Sequence, residues 1–185
     1  MKKILSMLLV LCMALTLCSA AFAEGKSPVD GMTVAFIPKV SGNSFFEAAN
    51  DGAQKYAADW GLTVDYIGAP TADVTTQLEL IQQAHDAGTP IISCMGTGNK
   101  LHPELLRVTD IYKTKMCPLC RVMRRELSKR GVSRLKVVYS EEPPLVPSFQ
   151  PEGGSKRSVP GSMPFVPPAA GFLIASQVVL DILAM

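Results

Sequence analysis

The polarity of the chain changes period several times, and each change marks an element. Met32-Thr33-Val34-Ala35-Phe36-Ile37-Pro38 is an apolar run between turn formers, which predicts a buried strand. Ser44 and Glu47 have capping-box spacing, and Phe45, Ala49, Ala53, Tyr56 and Trp60 then recur at helical intervals as far as Gly61, a left-handed stop. Residues 62–67 predict a second strand. Asp73 is placed to cap a helix carrying Val74, Leu78, Ile81 and His85 on one side, which Gly88 closes. Residues 90–94 predict a third strand, and the alternation of strand and helix implies parallel pairing with right-handed crossovers. Further on, Leu119, Val122, Met123 and Leu127 predict one side of a helix whose other side is strongly basic. Residues 141–168 are rich in Pro, Gly and Ser and predict a loop. Residues 172–183 predict a closing helix that packs its apolar face on the sheet and, interrupted by Gln177 and Asp181, is too short to cross a bilayer.

The start of the chain has a different pattern. Met1-Lys2-Lys3, an apolar run over residues 4–20 and then Ala21-Phe22-Ala23 have the charged start, apolar middle and small-x-small end of a secretory signal peptide. Cleavage after Ala23 is expected, which places the mature protein in the periplasm or another extracytoplasmic space; an uncleaved anchor is the alternative. Export would put Cys94, Cys117 and Cys120 in an oxidising compartment.

At 185 residues the chain can hold one ordinary domain or two small ones. Its net charge of +2 conceals an asymmetry: residues 24–89 hold three Lys/Arg against nine Asp/Glu, and residues 90–185 hold thirteen against seven. Such a reversal accompanies a domain boundary or a change of partner, although two differently solvated helix faces would give the same counts. In the basic half, Arg121, Arg124, Arg125, Lys129 and Arg130 lie on the predicted helix, with Arg134 and Lys136 at its exit. Clustered cations attract nucleic-acid phosphates without reading sequence, and they are equally the solvated side of an amphipathic helix. Cys117-Pro118-Leu119-Cys120 has the spacing of a dithiol at a helix start. Packing or an incidental disulfide, redox reactivity and a metal site remain open for the pair, the last with two ligands of four.

Two resemblances give these patterns a context. Phe36-Ile37-Pro38-Lys39, Gly42-Asn43-Ser44-Phe45-Phe46-Glu47-Ala48-Ala49-Asn50-Asp51-Gly52-Ala53 and Gly68-Ala69-Pro70-Thr71-Ala72-Asp73-Val74 resemble the opening of the extracytoplasmic solute-binding proteins of ABC sugar importers, in the branch of rhamnose and autoinducer-2 binders. The resemblance covers residues 1 to about 88. It implies a small sugar-like ligand, an ABC permease as partner, and a ligand cleft faced by Lys39, Asn43, Phe45 and Phe46. That placement agrees with ligands sitting beyond the carboxyl ends of strands in open α/β sheets.

After Gly88 the motifs change. Residues 90–101, Val108-Thr109-Asp110-Ile111-Tyr112-Lys113-Thr114, Cys117-Pro118-Leu119-Cys120-Arg121-Val122-Met123-Arg124-Arg125-Glu126-Leu127, Lys136-Val137-Val138-Tyr139-Ser140 and residues 161–171 resemble the C-terminal part of the tRNA threonylcarbamoyladenosine dehydratases, within the ubiquitin-activating-like adenylating enzymes. This resemblance implies tRNA as partner and a cytoplasmic location. ATP and Mg²⁺ would enter only with that family's nucleotide-binding half, whose glycine-rich turn opens a helix. Gly96-Thr97-Gly98 does not reproduce that turn, so no adenylation by this chain alone, no cofactor and no catalytic residue are expected.

The expected architecture is α/β, a three-layer, mostly parallel Rossmann-like sheet of about five strands assembled from two partial domains. The divisions are 1–23 as signal peptide, 24–89 as a partial binding-protein lobe and 90–185 as a partial dehydratase domain. Side chains selected for two different cores are expected to pack poorly across such a join. Three functions compete: an incomplete exported solute-binding lobe fused to a catalytically incomplete dehydratase fragment, a truncated ATP-dependent tRNA dehydratase, and a recombined reading frame with no selected activity.

Overall fold

The structure, a computed structural model, describes residue 27 and residues 29–71, 73–146 and 160–184. The proposed signal peptide and its cleavage site lie outside the described residues, as does the middle of the proline-rich stretch. The chain forms two compact units, residues 1–72 and 73–185.

In the first unit, β1 (Thr33–Phe36) pairs in parallel with β2 (Thr63–Tyr66), with Val34 opposite Val64 and Phe36 opposite Tyr66. Between them runs α1 (Ser44–Asp59), which packs on β2. Its cap is Asn43 and not Ser44: Asn43 keeps extended dihedrals and its side chain accepts from the Phe45 N–H at 3.0 Å. Glu47 reaches back two residues further than a capping box requires, accepting from the Gly42 N–H at 2.7 Å and from the Tyr66 hydroxyl at 2.9 Å. The buried stripe is also displaced from the expected one. Phe45, Tyr56 and Trp60 are exposed, while Ala57 is buried and Phe46 and Ala53 are half-buried. Small residues let the helix approach a sheet of only two strands, which is too narrow to cover the aromatic side as well. Gly61 ends the turn after α1 at φ +68°, and an added Cβ there would lie 2.1 Å from Asp30 Oδ1.

The second unit opens with α2 (Val74–Asp86), capped by Asp73 through the N–H groups of Thr75 and Thr76 and closed by Gly88 at φ +67°. Its sheet has the order β3-β5-β4. β3 (Ile92–Cys94) is parallel to the central β5 (Lys136–Ser140), and β4 (Leu106–Asp110) runs antiparallel to it. Among the described residues the expected five strands are therefore present, in two sheets and with one strand reversed. A tight 3-10 turn, Ile111–Lys113, leads from β4 to α3 (Pro118–Lys129), which returns the chain to β5.

β5 shows why this unit has three layers. Successive side chains point to opposite faces of a strand. Val137 and Tyr139 enter one cluster with Leu78 and Ile81 of α2 and Cys120, Met123 and Leu127 of α3. Val138 enters another with Leu106 and with Ala170 of α4 (Val166–Leu183). The stretches on either side of Gly88 share one core, against the expectation of poor packing there: Leu78 is 3% exposed and Ile81 6%, among side chains of α3 and β5. A Leu/Ile stripe of adequate volume meets the demand of an apolar sheet face without a selected jigsaw. The buried stripe of α3 is Cys120, Met123 and Leu127, whereas Leu119 and Val122, expected on it, are 41% and 42% exposed.

α4 begins six residues before the expected closing helix. Pro167 and Pro168 stand in its first turn, where missing N–H groups cost nothing and a fixed φ suits the helix. At 18 residues with a mean hydropathy of 1.7 it is long and apolar enough, by length and composition, to cross a membrane, which replaces the expectation that it is too short. One side packs on the second sheet as expected, and Lys136 ties it to β5 through Asp181 at 2.5 Å. Phe172, Val179, Leu180 and Leu183 on the other side are exposed.

Candidate functional site

The loop after β1 and the first turn of α1 carry Lys39, Asn43, Phe45 and Phe46. Phe45 and Phe46 meet edge to face with ring centroids 5.3 Å apart, and Phe45 is 72% exposed. Asn43 spends its carbonyl oxygen on the helix cap, so only its amide NH₂ is offered outward. Lys39 is exposed. The group presents an apolar ring with a hydrogen-bond donor and a cation near it in sequence, which suits a small polyhydroxylated molecule.

In the second unit the basic residues of α3 divide into three sets. Arg124 turns inward: its Nη1 donates to the Ile111 carbonyl at 3.2 Å, to the Thr114 carbonyl at 3.1 Å and to the Thr114 hydroxyl. Arg125, Lys129 and Arg130 gather on Glu126, at 3.0, 3.1 and 3.8 Å, and hold its carboxyl below the usual range, Lys129 most of all. Arg121 is exposed and has no partner among the described residues. The helix therefore offers phosphates one free guanidinium and three cations already shared with a carboxylate. Arg124→Ala is expected to lower stability by about 1.5–3 kcal/mol, since charged donors to buried acceptors carry that much. Arg121→Ala should stay within about 0.5 kcal/mol of the parent in urea titrations.

The cysteine pair begins the same helix. Cys117 is the N-cap, with its Sγ accepting from the Cys120 N–H at 3.5 Å. The Cys120 thiol first, and then the backbone N–H groups of Cys120, Gly96 and Leu119, pull the Cys117 thiol well below its ordinary value. Cys120 moves the opposite way, first because it donates to Cys117 and then through burial. Both are free thiols. Among the described residues no group of three or more His, Cys, Asp or Glu side chains is placed to hold a metal ion.

The loop after β3 contains a feature with no local signature in the sequence. Glu142, 5% exposed, directs its carboxylate at the N–H groups of Leu101, at 3.0 Å, and His102, at 3.0 Å. The Lys100 ammonium, equally buried, donates to the Glu142 carbonyl. Burial pushes the Glu142 carboxyl up, but the His102 and Leu101 N–H groups outweigh it and hold the carboxyl below its usual range. Asn99, at φ +56°, completes the loop by exchanging two hydrogen bonds with Gly161. The residues pair across about forty positions, so spacing could not have revealed them.

A separate open cleft of about 620 Å³ lies where the turn after α2 meets β4 and the exit of α3. Its charged groups include His85, Asp110, Lys113, Arg134, Lys136 and Asp181. Asp110 is engaged by the N–H groups of Tyr112 and Leu135, and Lys136 by Asp181.

The fold and these features define an α/β protein with Rossmann-like layering, and the solved structures similar to it have that fold. The chain superimposes on E. coli tRNA N6-threonylcarbamoyladenosine dehydratase, TcdA, in complex with ATP, with a TM-score of 0.59 and 18% identity over 82% of this chain and 76% of that one. The tRNA threonylcarbamoyladenosine dehydratase of Bacillus subtilis (strain 168) is 31% identical over 135 residues, 68% of this chain and 52% of the relative, so the chain spans about half the length of that protein. Residues 34–94 match the family model described as periplasmic binding protein domain. LsrB from Clostridium saccharobutylicum in complex with AI-2 is 46% identical over 36% of this chain and 21% of its own length, with a TM-score of 0.31. The chain thus resembles periplasmic binding proteins and tRNA threonylcarbamoyladenosine dehydratases, as its motifs imply. Residues 90–185 alone could not supply 68% of the chain, so the similarity to the Bacillus protein extends back into the stretch that contains α2.

Proposed function

We propose that the chain is a binding protein without adenylating chemistry: an incomplete, exported solute-binding lobe joined to a catalytically incomplete dehydratase unit. The observation that carries this reading is the Glu142 carboxylate on the Leu101 and His102 N–H groups. A phosphate-cradling turn needs free backbone N–H groups at the start of a helix. Here the turn after β3 gives its N–H pair to the chain's own carboxylate and continues into a three-residue 3-10 turn, Pro103–Leu105. A second anion there would meet Glu142 at close range, so these residues do not fit ATP and Mg²⁺.

The exposed Phe45, edge to face with Phe46 and near Asn43 and Lys39 in sequence, supports a small sugar-like or AI-2-like ligand for the first unit, with an ABC permease as the partner such proteins serve. If the chain instead stays in the cytoplasm, tRNA is the partner the relatives of the second unit imply, and Arg121 with Arg125, Lys129 and Arg130 supplies the positive surface. Arg124 is excluded from that set by its inward contacts.

Purified chain incubated with ATP, Mg²⁺ and total tRNA is expected to release no pyrophosphate above background. Release at a steady rate would return the chain to the truncated-dehydratase reading. Calorimetric titration with sugars and AI-2 tests the first unit, and a flat trace would favour a recombined frame without selected activity. Fractionation decides location: a mature chain starting at Glu24 outside the cytoplasm removes tRNA as a partner. Should the chain stay inside, Arg121→Ala is expected to lower the salt slope of tRNA binding by about 1, as loss of one phosphate contact does.

A further inference from the structure

The pair at the start of α3 is built for chemistry that neither resemblance uses. Cys117 sits at the N-cap and Cys120 three residues on, in the first turn. A disulfide needs Cβ atoms about 3.5–4.5 Å apart, closer than residues three apart inside a helix stand, and the extended dihedrals of Cys117 at the N-cap leave it free to make that approach. Its Sγ lies 3.5 Å from the Cys120 N–H, so its side chain is folded over the first turn toward Cys120. That N–H donates to the sulfur at the start of the helix. A helix N-terminus with a donor on the sulfur favours a thiolate, and the thiolate is the attacking species in disulfide exchange. Cys120 lies deeper, at 0% exposure, with the Thr114 side chain and the Arg124 guanidinium close to it. Cys117 is the more accessible of the two at 6%, and exposed Met116 and Leu119 flank it in sequence. Met116 takes φ +57°, which turns the chain sharply into the cap.

We propose that Cys117 and Cys120 form a dithiol–disulfide couple that exchanges with low-molecular-weight disulfides such as glutathione disulfide, Cys117 attacking and Cys120 resolving. In the first step the Cys117 thiolate attacks one sulfur of the disulfide, forming a mixed disulfide and expelling one thiolate. In the second, Cys120 loses its proton to that thiolate or to water and attacks the Cys117 sulfur, releasing the second small thiol. Two protein thiols are oxidised and one external disulfide is reduced to two thiols. The ring closed is only four residues long, so the bond constrains the unfolded chain little and suits a reversible couple better than a structural staple.

The test uses the full chain equilibrated in glutathione buffers of graded ratio, quenched by acid and alkylated, with peptide mass mapping. The expected result is one two-electron transition in which Cys117 and Cys120 become linked while Cys94 stays alkylated. In Cys120→Ser, Cys117 should be trapped as a mixed disulfide with glutathione. In Cys117→Ser, Cys120 should react at least tenfold more slowly. Circular dichroism of the reduced parent reports folding without any variant. A folded parent whose two cysteines alkylate fully at every ratio, or in which Cys94 takes either as partner, would overturn the proposal.

Discussion

Leu78→Asp is expected to unfold the second unit, or to lower its stability by about 4 kcal/mol or more. Leu78 is 3% exposed, in an apolar cluster with Met123, Leu127 and Val137. A carboxylate there would be desolvated without a partner, and it would have to take a proton or open the core. Leu78→Ala removes the same contacts without the charge and should cost about 2–5 kcal/mol, depending on how far the cluster relaxes. The contrast separates burial from helix propensity, because alanine is the better helix former. Val74, on the same helix but 53% exposed, supplies the control: Val74→Asp should change stability by no more than about 0.5 kcal/mol. Urea titration followed by circular dichroism reads all three. Equal effects at Leu78 and Val74 would mean that α2 is not packed as described.

The second large effect is expected at Glu142. Glu142→Gln keeps one acceptor oxygen but turns an NH₂ group toward a part-buried N–H, leaving a donor without an acceptor at a cost of about 1–3 kcal/mol. The parent should also show a pH dependence that the variant lacks. The Glu142 carboxyl is held below its usual range when folded, so its contribution is complete above the unfolded carboxylate value, about 4.3. It is lost as the pH falls through the depressed folded value. Stability of parent and variant should therefore differ most at neutral pH and converge below about pH 4. A difference that stayed constant down to acid pH would show that the carboxylate is not held as a charged acceptor.

Much of the fold was legible because it rests on short-range signals. Asp73 as a cap and Gly61 and Gly88 in left-handed turns require particular residue types at particular places, and each is where the pattern puts it. The stripe Leu78 and Ile81 was equally plain. What escaped depended on how much sheet each helix has to cover. The aromatic side of α1 looks like a core face, but a two-stranded sheet receives only Phe46, Ala53 and Ala57. β4 escaped because its mixed residues, Leu106-Arg107-Val108-Thr109-Asp110, alternate weakly and its antiparallel partner comes later in the chain. The prolines before α4 read as loop, although a helix tolerates them in its first turn.

The candidate sites divide in the same way. The dithiol and the loop after β1 are contiguous in sequence and could be named from it. The inward turn of Arg124 and the Lys100–Glu142 clamp join distant segments, and only the folded chain brings them together. Arg124 is instructive, since a basic helix read from sequence counts every cation as available, whereas this one holds the 3-10 turn that enters the helix.

Native-state hydrogen exchange on the full chain asks directly whether α2, although it lies in the stretch matched by the binding-protein model, is part of the second unit's core. Amides of α2 around Leu78 and Ile81 should open with the same free energy as those of Val137 and Val138 on β5, and Leu78→Ala should weaken both sets together. If the α2 amides exchanged orders of magnitude faster while β5 kept its protection, the two segments would not share one core.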